Sequence, residues 1–227
     1  MAKRYTGPYV SRGGEKLRGA LQDFSYCPKD LRALDLGAST GGFTDCLLQV
    51  GAAHVTALDV AYGQFAWKLR QDPRVQVVER CNVKNADLDS LGAPFDLVVA
   101  DLSFIALRTL AQKLQGAIGE QGDLLLLVKP QFEALRAEVD RGGVIRDPEK
   151  HVRILQRLSD VFEGQGLMSV DWTYSPIKGP KGNIEYWLWA RSADLPLAGA
   201  RRCVTIEAGS ENVIESVVKR AHAVLAE

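Results

Sequence analysis

Lys129 is the residue whose type and position most directly indicate chemistry. It follows a short apolar run, residues 124–128, which has the pattern of a buried strand, and α/β proteins bind ligands at the carboxyl ends of such strands. A lysine held beside apolar walls and a second cation loses proton affinity and can act as a base. The alternative to a catalytic base is that Lys129 is a solvated lysine at a strand end without a chemical role. Lys16, after a double glycine, and Glu185, at the start of a late strand, could join Lys129 in one site.

A glycine-rich turn, DLGASTGGF at residues 35–43, joins the first predicted strand to the first predicted helix. Glycines there let the backbone bend sharply and approach a ligand closely. The dinucleotide pattern G-x-G-x-x-G does not fit, because Ser39 stands where the second glycine would be. The turn instead resembles motif I of S-adenosylmethionine (SAM) methyltransferases, and a purely structural turn is the alternative. The candidate cofactor-binding residues are Asp35, Gly37, Ala38, Ser39, Thr40, Gly41, Gly42 and Phe43.

Three more polar residues follow predicted strands. Asp59 ends the second strand, where an acid can accept hydrogen bonds from ribose hydroxyls. Asn82 follows the third strand and could face an adenine or be an ordinary loop residue. Asp101 follows the fourth strand and begins the sequence DLSF, at the place where amino-group methyltransferases have (D/N)-P-P-(Y/F). Both prolines are missing, which argues against methylation of a base nitrogen. No cysteine stands beside a proline in that region, which argues against attack on a pyrimidine carbon.

The elements that must position these residues alternate between strand and helix. Hydrophobic patterning predicts strands at 32–37, 54–60, 75–78, 95–100 and 123–128, and helices at 41–50, 64–70, 106–118 and 148–164. Residues 168–174 and 184–190 are β-branched or aromatic, and they predict an antiparallel pair at one edge of an otherwise parallel sheet. The pattern predicts an α/β, Rossmann-like fold with a mostly parallel seven-stranded sheet and helices on both faces.

The predicted organisation is one domain with additions at both ends. Residues 1–25 form an N-terminal linker and helix, 26–195 form the core, and 196–227 form a C-terminal strand–helix extension. In the extension, residues 202–207 favour a strand and Ser210 suits the N-cap of a last helix. That helix carries an apolar stripe, which would pack on the domain's own core or, alternatively, form a dimer contact. The stripe consists of Val213, Ile214, Val217, Val218, Ala221, Val224 and Leu225.

Composition excludes several classes of protein. The 227 residues include 28 Lys+Arg and 28 Asp+Glu, so any basic surface for nucleic acid must be local. The four cysteines form no C-x-x-C pair and the three histidines are scattered, so the sequence predicts neither a metal site nor a disulfide framework. The N-terminus lacks the apolar run of a signal peptide, and no apolar stretch is long enough to span a bilayer. These features predict a cytoplasmic protein without a membrane partner.

Five segments match, in order, the motifs of a known family. They are SRGGEKL at 11–17, DLGASTGGF at 35–43, VADLSF at 99–104, VKPQFE at 128–133 and GNIEY at 182–186. From about residue 8 to residue 191, the chain resembles the TlyA type (hemolysin A) of FtsJ-like ribose 2′-O-methyltransferases. The resemblance places that family's catalytic tetrad on Lys16, Asp101, Lys129 and Glu185. It places the SAM site on Gly37, the turn 39–43, Asp59 and Asn82.

The resemblance implies methylation of a cytidine ribose in ribosomal RNA, with SAM as cofactor and without a metal. Lys129 would take the proton from the 2′-hydroxyl or hold that hydroxyl oriented, and Asp101 would position Lys129 and lie near the sulfonium. Lys16 would lower the proton affinity of Lys129 or stabilise negative charge on the oxygen. Glu185 would orient Lys16 or the ribose. Ribosomal RNA or ribosomal subunits are the expected partners, and a monomer or a homodimer is the expected state.

Local basic residues are candidates for binding RNA phosphates, although scattered solvated charge explains them equally well. The candidates are Lys3, Arg4, Arg12, Lys16, Arg18, Lys178 and Lys181. Members of the family usually begin with a small RNA-binding domain like that of a ribosomal small-subunit protein. Residues 3–5 already correspond to the linker after that domain, which leaves substrate docking by this chain open.

Two other functions remain open at this point. A membrane-active hemolysin would need a lipid-facing element, and the C-terminal stripe has few large aromatics and mixed charge. A small-molecule O-methyltransferase would not need the basic residues around the expected cleft.

Overall fold

The computed structural model describes residues 5–194 and 213–225 of the chain. The strands are β1 Arg32–Leu36, β2 His54–Leu58, β3 Val75–Val78, β4 Phe95–Ala100, β5 Ile118–Val128, β6 Leu167–Tyr174 and β7 Tyr186–Ser192. The helices are α1 Gly13–Asp23, α2 Gly42–Gln49, α3 Trp67–Arg70, α4 Ala111–Ala117, α5 Pro130–Glu133, α6 Pro148–Glu163 and α7 Val213–Leu225. A single 3-10 turn, Leu107–Leu110, leads into α4.

The strands form one seven-stranded sheet in the order β3-β2-β1-β4-β5-β7-β6. Strands β1 to β5 pair in parallel, and β7 is antiparallel to both β5 and β6. The predicted fold class, including its antiparallel edge pair, is therefore confirmed. The strand order reverses between β1 and β4, and ligands of such sheets bind outside the carboxyl ends of the strands at this switch point. The chain segments that follow β1 and β4 should therefore line the site.

Side chains on neighbouring positions of β5 enter two different cores. Leu124 and Leu126 pack in the cluster that contains α4, α6 and α7, while Leu125 and Leu127 pack in the cluster that contains α1 and α2. All four leucines are at most 1% exposed. A strand that is buried on both faces needs apolar side chains at every position, which explains the continuous run before Lys129.

Some element boundaries differ from the predicted ones. β5 begins at Ile118 rather than 123, and its pairing with β4 shifts register between Phe95 and Leu97. The predicted helix 106–118 is divided into the 3-10 turn and α4. Glycines at 119 and 122 disfavour a strand on propensity alone, and pairing with the neighbouring strand overrides this local preference.

The C-terminal stripe packs on the domain's own core, as its first interpretation predicts. Ile214, Val217, Val218 and Ala221 are buried in α7, which lies against α6 and β6. Val213 and Val224 are exposed. The predicted strand 202–207 and Ser210 lie outside the described residues, as does Cys203. Among the described helices, none combines the length and the apolar character that crossing a membrane requires.

Candidate active site

The glycine turn after β1 brings the backbone against the end of β4. Gly37 has φ +83°, and a Cβ built there would lie 2.5 Å from the Asp101 carbonyl oxygen. Gly41, at the start of α2, has φ +93°. Only glycine adopts these conformations without strain, and only a residue without a Cβ fits beside Asp101. The two glycines thus form an open cradle of backbone at the switch point.

Asp35 supports this turn from beneath and does not face the cleft. Its side chain is fully buried, and Oδ2 accepts hydrogen bonds from the Thr44 amide at 3.0 Å and the Thr44 hydroxyl at 2.7 Å. Burial raises the pKa of Asp35 to about 7, and the bonds from Thr44 oppose that rise. The sequence assigned Asp35 to the cofactor site, and the structure places its carboxylate under the first turn of α2.

Asp59 ties the end of β2 to the glycine turn. One carboxylate oxygen accepts the Ser39 amide at 2.7 Å and the other accepts the Ala61 amide at 2.7 Å. Ser39 itself has φ +50°, a conformation that this bond helps to hold. Asn82 is exposed, and its side-chain oxygen accepts the Lys84 amide at 3.0 Å, so that it shapes its own loop.

Two open cavities meet at Gly37, Ser39 and Asp101. One, of about 260 Å³, extends past Asp59 to Asn82 and to Phe104. The other, of about 240 Å³, is lined by the rest of the turn from Ala38 to Phe43 except Gly41, and by Arg12, Lys16 and Pro180. Together they form one cleft along the carboxyl ends of β1, β2 and β4, where the sequence predicts a cofactor and a substrate.

The four charged residues of the predicted tetrad form two ion pairs. Lys16 Nζ donates to Glu185 Oε2 at 2.5 Å, and Lys129 Nζ lies 2.5 Å from Asp101 Oδ1. We call these the closed pair and the open pair, because the Glu185 side chain is 1% exposed and the Asp101 side chain is 23% exposed. Lys16 and Asp101 line the same cavity, so both pairs reach the cleft.

Tight backbone packing positions the closed pair. A Cβ on Gly42 would lie 2.3 Å from Ser11 Oγ and 3.0 Å from the Gly14 nitrogen, so α1 and α2 approach through glycines. A Cβ on Gly179 would lie 2.6 Å from Glu185 Oε1, so the loop between β6 and β7 lies directly on that carboxylate. Close contact around the closed pair therefore requires glycine at positions 42 and 179.

Several residues of the site were not identified from sequence. Ser103 Oγ accepts a hydrogen bond from Lys129 Nζ at 3.0 Å. The Phe104 and Phe132 rings lie 5.0 Å apart at the mouth of the cleft, and Phe104 is 88% exposed with φ +64°. An exposed aromatic residue in a strained backbone conformation beside ionisable groups is a signal of function. The sequence signal was available in the segment DLSF, whose Ser and Phe directly follow Asp101.

The predicted RNA-binding residues are dispersed. Arg12 lines the cleft, whereas Arg18 is exposed on α1 near Tyr9 and Cys46. Lys178 and Lys181 flank Pro180 at the rim without lining either cavity. Arg4 and Lys3 lie outside the described residues. Within the described part of the chain, no group of three or more His, Cys, Asp or Glu side chains could hold a metal ion.

Comparisons with known proteins agree with this architecture. The model of the FtsJ-like methyltransferase family matches residues 9–192. The 16S/23S rRNA (cytidine-2′-O)-methyltransferase TlyA of Mycobacterium tuberculosis is 49% identical over 184 residues, which are 81% of this chain and 69% of that protein. Hemolysin A of Brachyspira hyodysenteriae is 43% identical over 179 residues, 78% of this chain and 75% of that protein.

A solved structure of a related protein has the same fold as this chain. A hemolysin-named protein of Streptococcus thermophilus superposes with a TM-score of 0.87 at 35% identity, over 99% of this chain and 78% of the other. The hemolysin name and the methyltransferase name thus occur among relatives of one fold. The match of the family model covers most of the chain, and the glycine cradle and the cleft lie within it. The chain is a member of the FtsJ-like, SAM-dependent methyltransferase family.

Proposed function

We propose that this chain methylates a ribose 2′-hydroxyl of ribosomal RNA, with cytidine as the target nucleoside. The observation that carries the proposal is the meeting of two lysine–carboxylate pairs in the cleft beside the glycine turn. The name of the mycobacterial relative, which is 49% identical, supports the choice of ribosomal RNA and of cytidine.

The residues of the cleft fit SAM. The cradle at Gly37 leaves the backbone open where a Cβ would collide with Asp101, and Asp59 lines the adjoining cavity as an acceptor for ribose hydroxyls. Asn82 lies at the far end of that cavity. SAM, when bound, supplies an activated methyl group on a sulfonium. Asp59 and Asp101 both line the adjoining cavity, so two carboxylates lie on the side of the cleft where a cationic donor would bind.

Lys129 is the proposed base. Its Nζ lies in the open pair, within hydrogen-bond distance of Asp101 and Ser103 and beside the cavity that these two residues line. In its neutral amine form, Lys129 Nζ takes the proton of the 2′-hydroxyl as that oxygen accepts the methyl group, while Asp101 and Ser103 accept hydrogen bonds from the amine and hold it in the required direction. A base that is placed within reach of the proton it removes contributes about 10²–10⁴ in rate.

The closed pair has a different role. Lys16 carries a positive charge to the cavity wall while Glu185 fixes its direction from beneath. A fixed cation beside the reacting hydroxyl stabilises the negative charge that develops on the oxygen. Glu185 is too deeply buried to touch a ribose without movement, so its proposed role is to orient Lys16.

The mouth of the cleft suits a nucleotide better than a small apolar molecule. Phe104 and Phe132 offer ring surfaces on which a base can stack, and Arg12 offers a cation for a phosphate. Ribosomal RNA or a ribosomal subunit is the proposed partner and the cytoplasm is the proposed location. A monomer or a homodimer is consistent with this assignment.

The test is transfer of a tritiated methyl group from SAM to unmethylated ribosomal subunits and to free ribosomal RNA. The product should be a 2′-O-methylcytidine, identified by mass spectrometry of the digested RNA. Lys129→Ala should abolish most of the transfer. The matched control is Lys68→Ala, which removes a lysine that also pairs with a carboxylate, Asp45, but lies away from the cleft.

Other products would redirect the assignment. A methylated base would reject the 2′-hydroxyl as the target. Transfer to small hydroxyl compounds but to no RNA would favour a small-molecule O-methyltransferase. Lysis of erythrocytes by the purified protein, with no methyl transfer, would favour the hemolysin interpretation.

A further inference from the structure

Two chain segments that are far apart in sequence meet around Lys129. One is the loop between β4 and the 3-10 turn, residues 101–106, which we call the β4 loop. The other is α5, the single helical turn that begins directly after Lys129. At the surface they touch through the open pair, through Ser103 and through the two phenylalanine rings. The position of the amine therefore depends on how these segments are held together.

The β4 loop has little support of its own. Phe104 is 88% exposed and has φ +64°, which a non-glycine residue adopts only when its surroundings hold it. The 3-10 turn that follows the loop has Ala106 at its N-cap, and an alanine side chain cannot cap the free amides of the turn. These amides need an acceptor from elsewhere in the chain.

Glu133 provides that acceptor. Its carboxylate accepts the Leu107 amide through Oε1 and the Arg108 amide at 3.5 Å through Oε2. Arg108 Nη1 lies 3.9 Å from the same Oε2. The Glu133 residue is only 2% exposed, so water does not compete for these bonds. Burial raises the pKa of Glu133, and the two backbone bonds and Arg108 oppose this rise.

Glu133 is also tied rigidly to Lys129. In the single turn of α5, the Glu133 amide donates to the Lys129 carbonyl at 3.3 Å and the Phe132 amide donates to it at 2.9 Å. The contacts form a closed ring, which runs from Asp101 to Lys129, along α5 to Glu133, and back through Leu107 to the β4 loop. Opening the ring at Glu133 would free the loop without removing any group from the cleft.

We propose that Glu133 is a positioning residue for methyl transfer, an inference that rests on the proposed function. Its carboxylate fixes the β4 loop to the α5 turn and so keeps Asp101 and Ser103 within reach of Lys129 Nζ. Glu133 lines neither cavity and touches no proposed ligand. It acts through the alignment of the open pair.

The experiment measures kcat, KM for RNA and the dissociation constant of S-adenosylhomocysteine for Glu133→Ala and Glu133→Gln. The alanine variant should lose about 10²-fold in kcat, the usual cost of a misplacement near 1 Å. Its affinity for S-adenosylhomocysteine should fall far less than kcat, because the glycine turn and Asp59 are untouched, although the β4 loop lines part of the same cavity. The glutamine variant should recover much of kcat, because its amide oxygen can still accept the Leu107 amide.

Asp147→Ala is the matched control. Asp147 caps α6 by accepting the Glu149 amide at 2.9 Å, and α6 contributes no residue to either cavity. The control should lower the melting temperature and leave kcat unchanged. A double-mutant cycle with Lys129→Ala adds a second readout. In that background Glu133→Ala should cost less than about threefold, because residues that act through one group are not additive.

The outcomes separate this inference from the proposed function. If wild-type protein makes no 2′-O-methylated RNA, the proposed function fails. If wild-type protein is active and Glu133→Ala keeps its kcat while losing thermal stability, Glu133 is only a structural cap and the inference is overturned. If Glu133→Ala does not fold, the partial kcat loss of Glu133→Gln decides, because that loss should vanish in the Lys129→Ala background if Glu133 acts through Lys129. The inference would also be overturned if a Glu133 substitution lowered kcat by the same factor in the Lys129→Ala background as in the wild type.

Discussion

The closed pair and the open pair each join a lysine to a carboxylate at 2.5 Å, but they differ in their surroundings. Glu185 is 1% exposed and lies under Gly179, whereas Asp101 is 23% exposed and its lysine also bonds to Ser103. A buried pair is costly to break and changes little during a reaction. A pair at the cleft surface can exchange a proton with a substrate. From this difference we assign a fixed positive charge to Lys16, in the closed pair, and proton transfer to Lys129, in the open pair.

Exchanging each lysine for arginine should give the largest contrast between the two pairs. Lys129→Arg should lower turnover by about 10²–10⁴, because a guanidinium keeps its proton and cannot act as a base. Lys16→Arg should retain more activity, because a fixed positive charge beside Glu185 is preserved. Single-turnover methyl transfer to ribosomal subunits, with SAM binding as the folding control, measures both variants. Near-normal turnover of Lys129→Arg would contradict the role of Lys129 as a base and would show that its charge only positions the ribose.

The contrast also shows what the sequence could predict. The strands, the glycine turn and Asp59 follow from local patterns, because strand ends in a parallel sheet must meet at one edge. The membership of Lys16 and Glu185 in one site came from the resemblance, since 169 residues separate them. Ser103, Phe132 and Glu133 were missed because their roles arise from contacts between the β4 loop and α5. No periodicity of hydrophobic residues reports such a contact.

Removal of a carboxylate should affect stability more in the closed pair. Glu185→Gln leaves the Lys16 ammonium without its partner, and the side chain of Lys16 is only 9% exposed. Breaking a buried pair in this way costs about 3–5 kcal/mol of unfolding free energy. Asp101→Asn should cost less, about 1.5–3 kcal/mol, because 23% of the Asp101 side chain is exposed and Lys129 Nζ keeps its hydrogen bond to Ser103. Urea unfolding at pH 7 measures both, and equal losses would contradict the distinction between the pairs.

Asp59 tests the cofactor side of the cleft independently of either pair. Asp59→Ala removes the acceptor of the Ser39 amide and the proposed partner of the ribose hydroxyls. The affinity for SAM should fall by about 1.5–3 kcal/mol, the usual value for hydrogen bonds to a charged group. At saturating SAM, kcat should remain close to that of the wild type. The control is Asp72→Ala, since the half-buried Asp72 accepts the Arg74 amide away from the cleft. Calorimetry that gives the same affinity for the Asp59 variant and the wild type would remove Asp59 from the site.

Two buried groups behind the cleft, His151 and Asp35, should respond to acid in opposite directions. His151 bonds to the hydroxyl of Tyr186, the residue after Glu185, at 2.7 Å. Burial, with a smaller contribution from His222, lowers the pKa of His151 to about 4. Between pH 6.5 and 4 the unfolded state therefore binds a proton that the folded state does not, and stability falls as the pH falls. Asp35, which lies on the side of Asp101, has a pKa raised to about 7. Between pH 7 and 3.8 the folded state binds the extra proton, so this group adds stability as the pH falls.

From pH 7 to pH 5 each contribution amounts to about 2 kcal/mol by proton linkage, so the two largely cancel in the wild type. Substitution separates them. His151→Asn should leave the contribution of Asp35, so that from pH 7 to pH 5 the stability of the variant should change more favourably than that of the wild type by about 2 kcal/mol. Asp35→Asn should leave the contribution of His151, so that over the same interval the stability of this variant should change less favourably than that of the wild type by a similar amount. Urea unfolding at pH 7 and pH 5 measures the change in unfolding free energy for each protein. Because this change is taken within one protein, any loss of stability that the substitution causes equally at both pH values cancels. If the unfolding free energy changed equally with pH in the two variants, the opposite pKa shifts of His151 and Asp35 would be contradicted.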